Sequence, residues 1–187
     1  MDWEERYQNR SVADAEPAAV LAEYAHLLPA EGTALDLACG LGGNAVFLAR
    51  RGLDTLAWDS SPAAIEQLSA YAEARGLRLR AAVRDVAARP PEPEGFDVIV
   101  VSRFLERALV PALVAALRPG GLLYYQTFTR SRVSDRGPGN DRFRLGDNEL
   151  LGLFGELRLL VYREEGRVGE LERGLRDEAQ LVAQKTG

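Results

Sequence analysis

Two acidic residues flank a glycine-rich segment in the first third of the chain. Asp36 lies near the end of an apolar run at 33–38, a Gly-Leu-Gly-Gly segment follows at 40–43, and Asp59 closes the next apolar run. Glycines let a ligand approach backbone that a Cβ would block, and free N–H groups at the start of a helix bind electronegative atoms. A carboxylate at the end of a strand can accept hydrogen bonds from ribose hydroxyls or an amino group. This spacing predicts a nucleoside-binding site.

Two classes of nucleoside cofactor are compatible with the glycine-rich segment. Residues 40–45 satisfy the pattern G-x-G-x-x-A of dinucleotide-binding folds, so an NAD-dependent oxidoreductase is one alternative. Asp36, however, lies four residues before Gly40, where its charge would repel a pyrophosphate but would suit the ammonium group of methionine. Asp85 follows the third predicted strand and is placed to meet the exocyclic amine of adenine. These carboxylates favour S-adenosylmethionine, with the capping of a helix or turn as the structural alternative for each.

The apolar periodicity predicts alternating strands and helices in one domain that spans residues 1–187. Strands are expected at 33–38, 53–59, 77–83, 96–101, 122–128, 157–162 and 175–184, and helices at 16–28, 44–51, 62–75, 111–117 and 147–154, the last capped by Asp147. The ten residues between Asp85 and Phe96 include three prolines and leave no room for a full helix. The sequence therefore predicts the α/β class, with a doubly wound Rossmann-like seven-stranded sheet that is mostly parallel and ends in a C-terminal antiparallel hairpin.

The composition narrows the choice of partner and compartment. The 187 residues carry 23 basic and 28 acidic side chains and a formal net charge of −5, which argues against nucleic acid or an anionic membrane as the partner. One cysteine excludes an intrachain disulfide, and with the lack of a signal-peptide pattern it predicts a cytoplasmic protein. No apolar run approaches the roughly 20 residues of a membrane span, and no His/Cys cluster suggests a metal site.

The chain resembles class I S-adenosylmethionine-dependent methyltransferases over nearly its whole length. Residues 36–42 look like the first motif of that family, acidic-x-Gly-x-Gly-x-Gly, with Ala38 in place of the first glycine. Asp59 matches the acidic residue that holds the ribose diol, and Asp85 with Val86 matches the adenine-binding position. Within the superfamily, the strand at 56–59 and the short connection before Phe96 are most similar to the tellurite-resistance (TehB-like) branch.

The resemblance implies a set of cofactor-binding residues and leaves the catalytic residue unassigned. Trp3 and Tyr7 form the Trp-x-x-x-Tyr arrangement that many small methyltransferases use as an N-terminal lid, although packing of the terminus onto the core explains it equally well. The implied set is Trp3, Tyr7, Asp36, Ala38, Gly40, Gly42, Asn44, Asp59, Ser60, Asp85, Val86 and Ser102. No metal is implied.

The acceptor side is less well defined by the sequence. The segment at 102–104 follows the fourth strand, where such enzymes place substrate, and it lacks the Asn/Asp-Pro-Pro-Tyr/Phe motif of adenine and glutamine N-methylation. The loop at 130–146 could be a lid that binds an anion or a solvated connection, and its arginines are Arg130, Arg132, Arg136, Arg142 and Arg144. We expect methyl transfer to a small molecule, with a chalcogen oxyanion or a thiol as candidates. An NAD-dependent oxidoreductase and a non-enzymatic cofactor-binding module are the alternatives.

Overall fold

The computed structural model describes residues 10–187, and these residues form a mixed seven-stranded sheet. The strands are β1 (Thr33–Leu37), β2 (Asp54–Asp59), β3 (Leu79–Val83), β4 (Phe96–Ser102), β5 (Leu117–Phe128), β6 (Arg158–Arg163) and β7 (Glu178–Gln184). Their order across the sheet is β3-β2-β1-β4-β5-β7-β6. β1 to β5 pair in parallel, whereas β7 runs antiparallel to both β5 and β6. The predicted α/β class and the C-terminal antiparallel pair are confirmed.

Helices cover both faces of the sheet. They are α1 (Ala19–Glu23), α2 (Gly43–Arg50), α3 (Pro62–Ala74), α4 (Val110–Ala116) and α5 (Glu149–Leu153). One face packs Val98, Val100 and Tyr124 against side chains of α1 and α2. The other face packs Ile99 and Leu123 against α4 and α5. Because β4 lies in the middle of the sheet, its residues 98–101 are fully buried, as the continuous apolar run of a central parallel strand requires.

The connection from β3 to β4 contains turns and no helix, as the proline-rich sequence predicts. The cap of α3 also agrees with the prediction, because the Ser61 hydroxyl accepts a hydrogen bond from the Ala64 N–H at 3.3 Å and Pro62 occupies the first helical turn. The sequence therefore predicts this connection and this helix cap correctly.

Several predicted boundaries were wrong. β3 begins at Leu79 rather than at 77, and β7 begins at Glu178 rather than at 175. The helix expected over 16–28 is the five-residue α1 followed by a short 3-10 helix at Ala25–Leu27, since Pro17 disfavours helical backbone in the residue before it. Asp147 does not cap α5, because Asn148 occupies the cap position with a φ of 57° and makes no side-chain cap. β5 begins at Leu117 rather than at 122, because residues 117–121 already pair with Phe96 and Lys185.

Candidate functional site

The turn from β1 into α2 has an unusual backbone conformation. Ala38, Gly40 and Gly42 all have positive φ, at 56°, 52° and 76°. Glycine adopts this region without penalty, whereas Ala38 holds it at a steric cost that residues at binding sites often carry. The Cys39 N–H donates to the Trp58 carbonyl at 3.0 Å, which fixes the turn to the end of β2. The alanine thus adopts the backbone that a glycine in the first motif would supply.

Asp36 of β1 carries a fully buried carboxylate that reaches the first turn of α2. Its Oδ2 accepts a hydrogen bond from the Ala45 N–H at 3.0 Å, and its Oδ1 accepts one from Asn44 Nδ2 at 3.1 Å. Burial raises the pKa of Asp36 from 3.8 to about 7, although both hydrogen bonds favour the ionised form. Asp36 therefore caps the helix N-terminus, as the structural alternative proposed, and at the same time places a titratable charge beside the glycine turn.

Asp59 joins the end of β2 to the same turn. Its Oδ2 accepts a hydrogen bond from the Gly40 N–H at 2.8 Å, and its Oδ1 accepts one from the Ser61 N–H at 2.9 Å. The Asp59 side chain is nearly buried, whereas Ser60 beside it is exposed. Two predicted site residues that are 19 positions apart, Gly40 and Asp59, are thus in direct contact.

Asn44 connects three elements at the carboxyl edge of the sheet. Its Nδ2 donates to Asp36 Oδ1 and to Ser102 Oγ, both at 3.1 Å, and its Oδ1 accepts from the Ala18 N–H at 2.8 Å. The structure therefore brings Asp36, Asn44 and Ser102 together. The sequence predicted all three as members of one site but did not predict their contacts.

Asp85 has the turn-capping role that the sequence left as its alternative, and Val86 has a role in the core. Asp85 is exposed, and its Oδ1 accepts hydrogen bonds from the Ala87 and Ala88 N–H groups at 3.0 and 3.1 Å. Val86 is buried in the core between the sheet and α4. Contact of this pair with adenine stays a prediction. Trp3 and Tyr7 lie outside the described residues.

The arginine-rich loop is held by hydrogen bonds from Arg144 within it and from Arg107 outside it. Arg144 is buried and donates to the carbonyls of Pro138, Thr129 and Arg136. Arg107 forms a two-pronged ion pair with Glu149, and it also donates to the carbonyls of residues 142 and 144. The hypothesis that Arg144 receives an anion is therefore wrong, because its guanidinium is used by backbone carbonyls.

The sequence missed three polar residues that the fold brings next to Ser102. Gln126 on β5 pairs in register with Ser102 on one side and with Gln180 of β7 on the other, and Glu178 lies two residues from Gln180. All three of these β5 and β7 side chains are buried. The sequence signal for these residues was a polar side chain within an otherwise apolar strand. Which side chains such a residue contacts depends on the order of the strands in the sheet, and residue spacing along the sequence does not give that order.

Replacing Gly42 should affect folding as well as ligand binding. A Cβ added at Gly42 would lie 2.5 Å from Leu68 Cδ2 and 2.6 Å from Leu68 Cδ1. The Leu68 side chain therefore already occupies the space next to Gly42. We expect Gly42→Ala to lower the free energy of unfolding by about 1–3 kcal/mol more than Gly76→Ala. Gly76 is the matched control, because it has a similar φ of 59° and nothing within 4 Å of the added atom. Equal losses in urea denaturation would show that Leu68 does not fill this space.

A comparison with protein families finds a match, which covers the first half of the sheet. Residues 34–121, which contain the glycine turn and both buried carboxylates, match the family model described as a methyltransferase domain. Together with the TehB relatives, this match supports a class I S-adenosylmethionine-dependent methyltransferase domain and implies S-adenosylmethionine as its cofactor. The NAD-dependent alternative is not favoured.

Particular relatives support the TehB-like resemblance. The chain is 30% identical over 148 residues to the probable S-adenosyl-L-methionine-dependent methyltransferase TehB of Haemophilus influenzae. The aligned region covers 74% of this chain and 50% of that protein. It is 35% identical over 138 residues to Hemagglutinin 1 of Eikenella corrodens, and this alignment covers 70% of this chain and 45% of that protein. The crystal structure of TehB from Haemophilus influenzae aligns with a TM-score of 0.73 at 24% identity over 99% of this chain and 68% of that chain. The chain thus spans about half the length of the curated relatives it matches.

Two further features were searched for within residues 10–187. No helix there combines the length and the apolarity that crossing a membrane requires. No group of three or more His, Cys, Asp or Glu side chains in the same residues is arranged to hold a metal ion.

Proposed function

We propose that this chain transfers a methyl group from S-adenosylmethionine to a small-molecule acceptor, with a thiol or a chalcogen oxyanion as the nucleophile. The observation that carries this proposal is the glycine turn held between two buried carboxylates, Asp36 and Asp59, at the carboxyl ends of β1 and β2. Ligands of open parallel sheets bind at that edge. The matched methyltransferase domain spans the same residues.

The residues around the turn suit S-adenosylmethionine. A carboxylate offers about four lone-pair positions, and the described contacts of Asp59 use two of them. Positions therefore remain for the ribose hydroxyls, with Ser60 exposed beside them. The carboxyl of Asp36 suits the ammonium group of the cofactor, and Asp85 suits the adenine amine. When bound, the cofactor supplies an activated methyl group, and the protein positions the acceptor.

A thiol is the better supported of the two nucleophiles. The sole histidine of the chain is His26, which lies in the 3-10 helix after α1 with its ring 6.2 Å from that of Tyr24. No imidazole base therefore follows β4. A thiolate and a chalcogen oxyanion both need positioning rather than a general base, and in-line positioning alone can contribute about 7–11 kcal/mol. Burial of Arg144 removes one of the arginines that an oxyanion would need.

Turnover distinguishes an enzyme from a cofactor-binding module on the same fold. The purified chain is incubated with S-adenosylmethionine and, separately, with cysteamine, 2-mercaptoethanol, thioglycolate, selenite or tellurite. We expect saturable release of S-adenosylhomocysteine with at least one thiol. Binding of S-adenosylhomocysteine without any turnover above the acceptor-free rate would instead favour the module.

Asp59→Ala should weaken binding of S-adenosylhomocysteine by about 1.5–3 kcal/mol, which is roughly 10-fold to 150-fold in the dissociation constant. The reason is the loss of a charged acceptor at the turn that carries Gly40. Asp54→Ala is the control, because Asp54 lies at the opposite end of the same strand with its side chain 58% exposed. Calorimetry on both folded variants measures the affinities. An Asp59→Ala protein with the affinity of the control would remove Asp59 from the site.

A further inference from the structure

Three buried polar side chains form a cluster on neighbouring strands beside Ser102. We call Gln126, Glu178 and Gln180 the β5–β7 polar cluster; their exposed fractions are 5%, 4% and 0%. Gln126 lies between Ser102 of β4 and Gln180 of β7 in the register of the sheet. Two strand spacings, about 10 Å, therefore separate the backbone of β4 from that of β7. The cluster lies at the sheet edge where the acceptor must approach the cofactor.

The hydrogen bonds of this cluster fix which atoms face one another. The Val20 backbone N–H can only donate, and it contacts Gln126 Oε1 at 2.8 Å. The Gln126 Nε2 group must then donate to Glu178 Oε2. Gln180 Nε2 donates to the same Gln126 Oε1 at 3.2 Å, so its own Oε1 points elsewhere. The amide orientations follow from this chain of donors and acceptors.

Two buried acceptor oxygens remain in the cluster without a donor. Glu178 Oε1 and Gln180 Oε1 have no hydrogen-bond partner within residues 10–187. Arg136 Nη2 approaches Glu178 Oε1 to 3.6 Å, which is an ion pair but not a hydrogen bond, and the Arg136 side chain is 62% exposed. Buried polar atoms are nearly always paired, so these two oxygens are candidates for contact with a bound ligand.

We propose that the β5–β7 polar cluster binds a protonated amine of the methyl acceptor. An ammonium group donates hydrogen bonds and carries the charge opposite to that of Glu178, so its chemistry suits acceptor oxygens that lack a donor. The inference rests on the proposed function and narrows its substrate class: the acceptor carries a cationic amine in addition to its nucleophile. An oxyanion is disfavoured, because it would bring further acceptor atoms to Glu178 and Gln180.

Arg136 has a defined role in this proposal. Its guanidinium pairs with Glu178 from the exposed side of the cluster, and it therefore competes with the amine for the same carboxylate. Removing the charge of Glu178 should weaken binding of the amine, whereas removing the charge of Arg136 should strengthen it. A cluster that serves only to stabilise the fold would not give effects of opposite sign.

The test uses three thiols that differ only in the group away from sulfur. Cysteamine, 2-mercaptoethanol and thioglycolate carry an ammonium, a hydroxyl and a carboxylate, and their dissociation constants are measured by NMR titration of the full chain loaded with S-adenosylhomocysteine. We expect cysteamine to bind at least about 10-fold more tightly than thioglycolate, because its ammonium group can form a charge-assisted hydrogen bond that the carboxylate of thioglycolate cannot form. Equal affinities, preference for thioglycolate, or no binding of any probe would overturn the proposal.

Glu178→Gln and Arg136→Gln complete the test. Glu178→Gln keeps an oxygen for the Gln126 amide and should abolish the preference for cysteamine. Arg136→Gln changes an exposed side chain, so it remains informative if the first variant does not fold, and it should increase the affinity for cysteamine. Preference retained in Glu178→Gln, or weaker cysteamine binding in Arg136→Gln, would contradict the inference.

The proposed function fails separately from this inference. S-adenosylhomocysteine affinity should be the same in both variants as in the unaltered chain. If S-adenosylhomocysteine does not bind at all, the proposed function is wrong, while the preference for cysteamine is still measured on the free chain.

Discussion

Arg144→Met should lower the free energy of unfolding by about 3–5 kcal/mol, the range for a buried charged partner whose removal leaves its polar neighbours unpaired. Arg144 is 1% exposed and donates to the Pro138 carbonyl at 2.8 Å, to the Thr129 carbonyl at 2.9 Å and to the Arg136 carbonyl. Methionine fills similar volume but donates to none of these oxygens. Urea denaturation at neutral pH measures the loss.

Arg142→Met is the matched control for this substitution. Arg142 belongs to the same loop and lies over the Phe143 ring, but it is exposed. Surface substitutions of this kind usually change the free energy of unfolding by no more than about 0.5 kcal/mol. If both variants lose the same small amount, the Arg144 guanidinium does not organise the loop.

The loop at 130–146 is therefore a supported element rather than a free lid. Asp177 strengthens this conclusion, because its Oδ1 accepts hydrogen bonds from the Val133 N–H at 2.6 Å and the Ser134 N–H at 3.1 Å. Burial opposes the ionised form of Asp177, but these bonds and the one from the Ser134 hydroxyl hold its pKa below the usual range. The loop also brings Arg136 to within 3.6 Å of Glu178, and the proposed amine site depends on this contact.

Asp36 should make the stability of the protein depend on pH across the neutral range. Its pKa rises from 3.8 to about 7 on folding because the carboxyl is fully buried. The folded state therefore binds more protons than the unfolded state between these values, and the stabilisation is complete below about pH 4 and lost as the pH rises through 7. A shift of this size corresponds to about 4 kcal/mol.

Asp36→Asn isolates this contribution, because asparagine does not titrate. The difference in the free energy of unfolding between the variant and the unaltered chain should move in favour of the variant, by up to about 4 kcal/mol, from pH 4 to pH 8. Any fixed cost of placing a second amide beside Asn44 is the same at every pH. A difference that stays constant over this range would mean that Asp36 is ionised throughout.

The sequence predicted the parts of the site that neighbouring residues define. The approach of Asp36 to the glycine turn, the cap at Ser61 and the absence of a helix before Phe96 all depend on residues within a few positions of one another. Alternating apolar runs were also sufficient for the parallel half of the sheet. Local spacing carries this information because the strands, turns and helices involved are consecutive.

The remaining features depend on contacts between distant parts of the chain. Gln126 and Glu178 are 52 residues apart and meet because β7 inserts between β5 and β6. Arg144 was predicted to lie either in an anion-binding lid or in a solvated connection, since nothing in its local sequence shows that it donates to three backbone carbonyls. The predicted cap residue of α5 was Asp147, but Asn148 occupies the cap position, and its φ is positive.

Calorimetric titration of the full chain with S-adenosylhomocysteine, and in parallel with NAD, tests the central claim most directly. We expect saturable binding of S-adenosylhomocysteine near one molecule per chain and no binding of NAD. The Asp59→Ala variant should bind S-adenosylhomocysteine at least about 10-fold more weakly, which corresponds to a loss of roughly 1.4 kcal/mol in binding free energy. Binding of NAD without S-adenosylhomocysteine would contradict the assignment of the glycine turn and its two carboxylates to S-adenosylmethionine, and so would binding of neither.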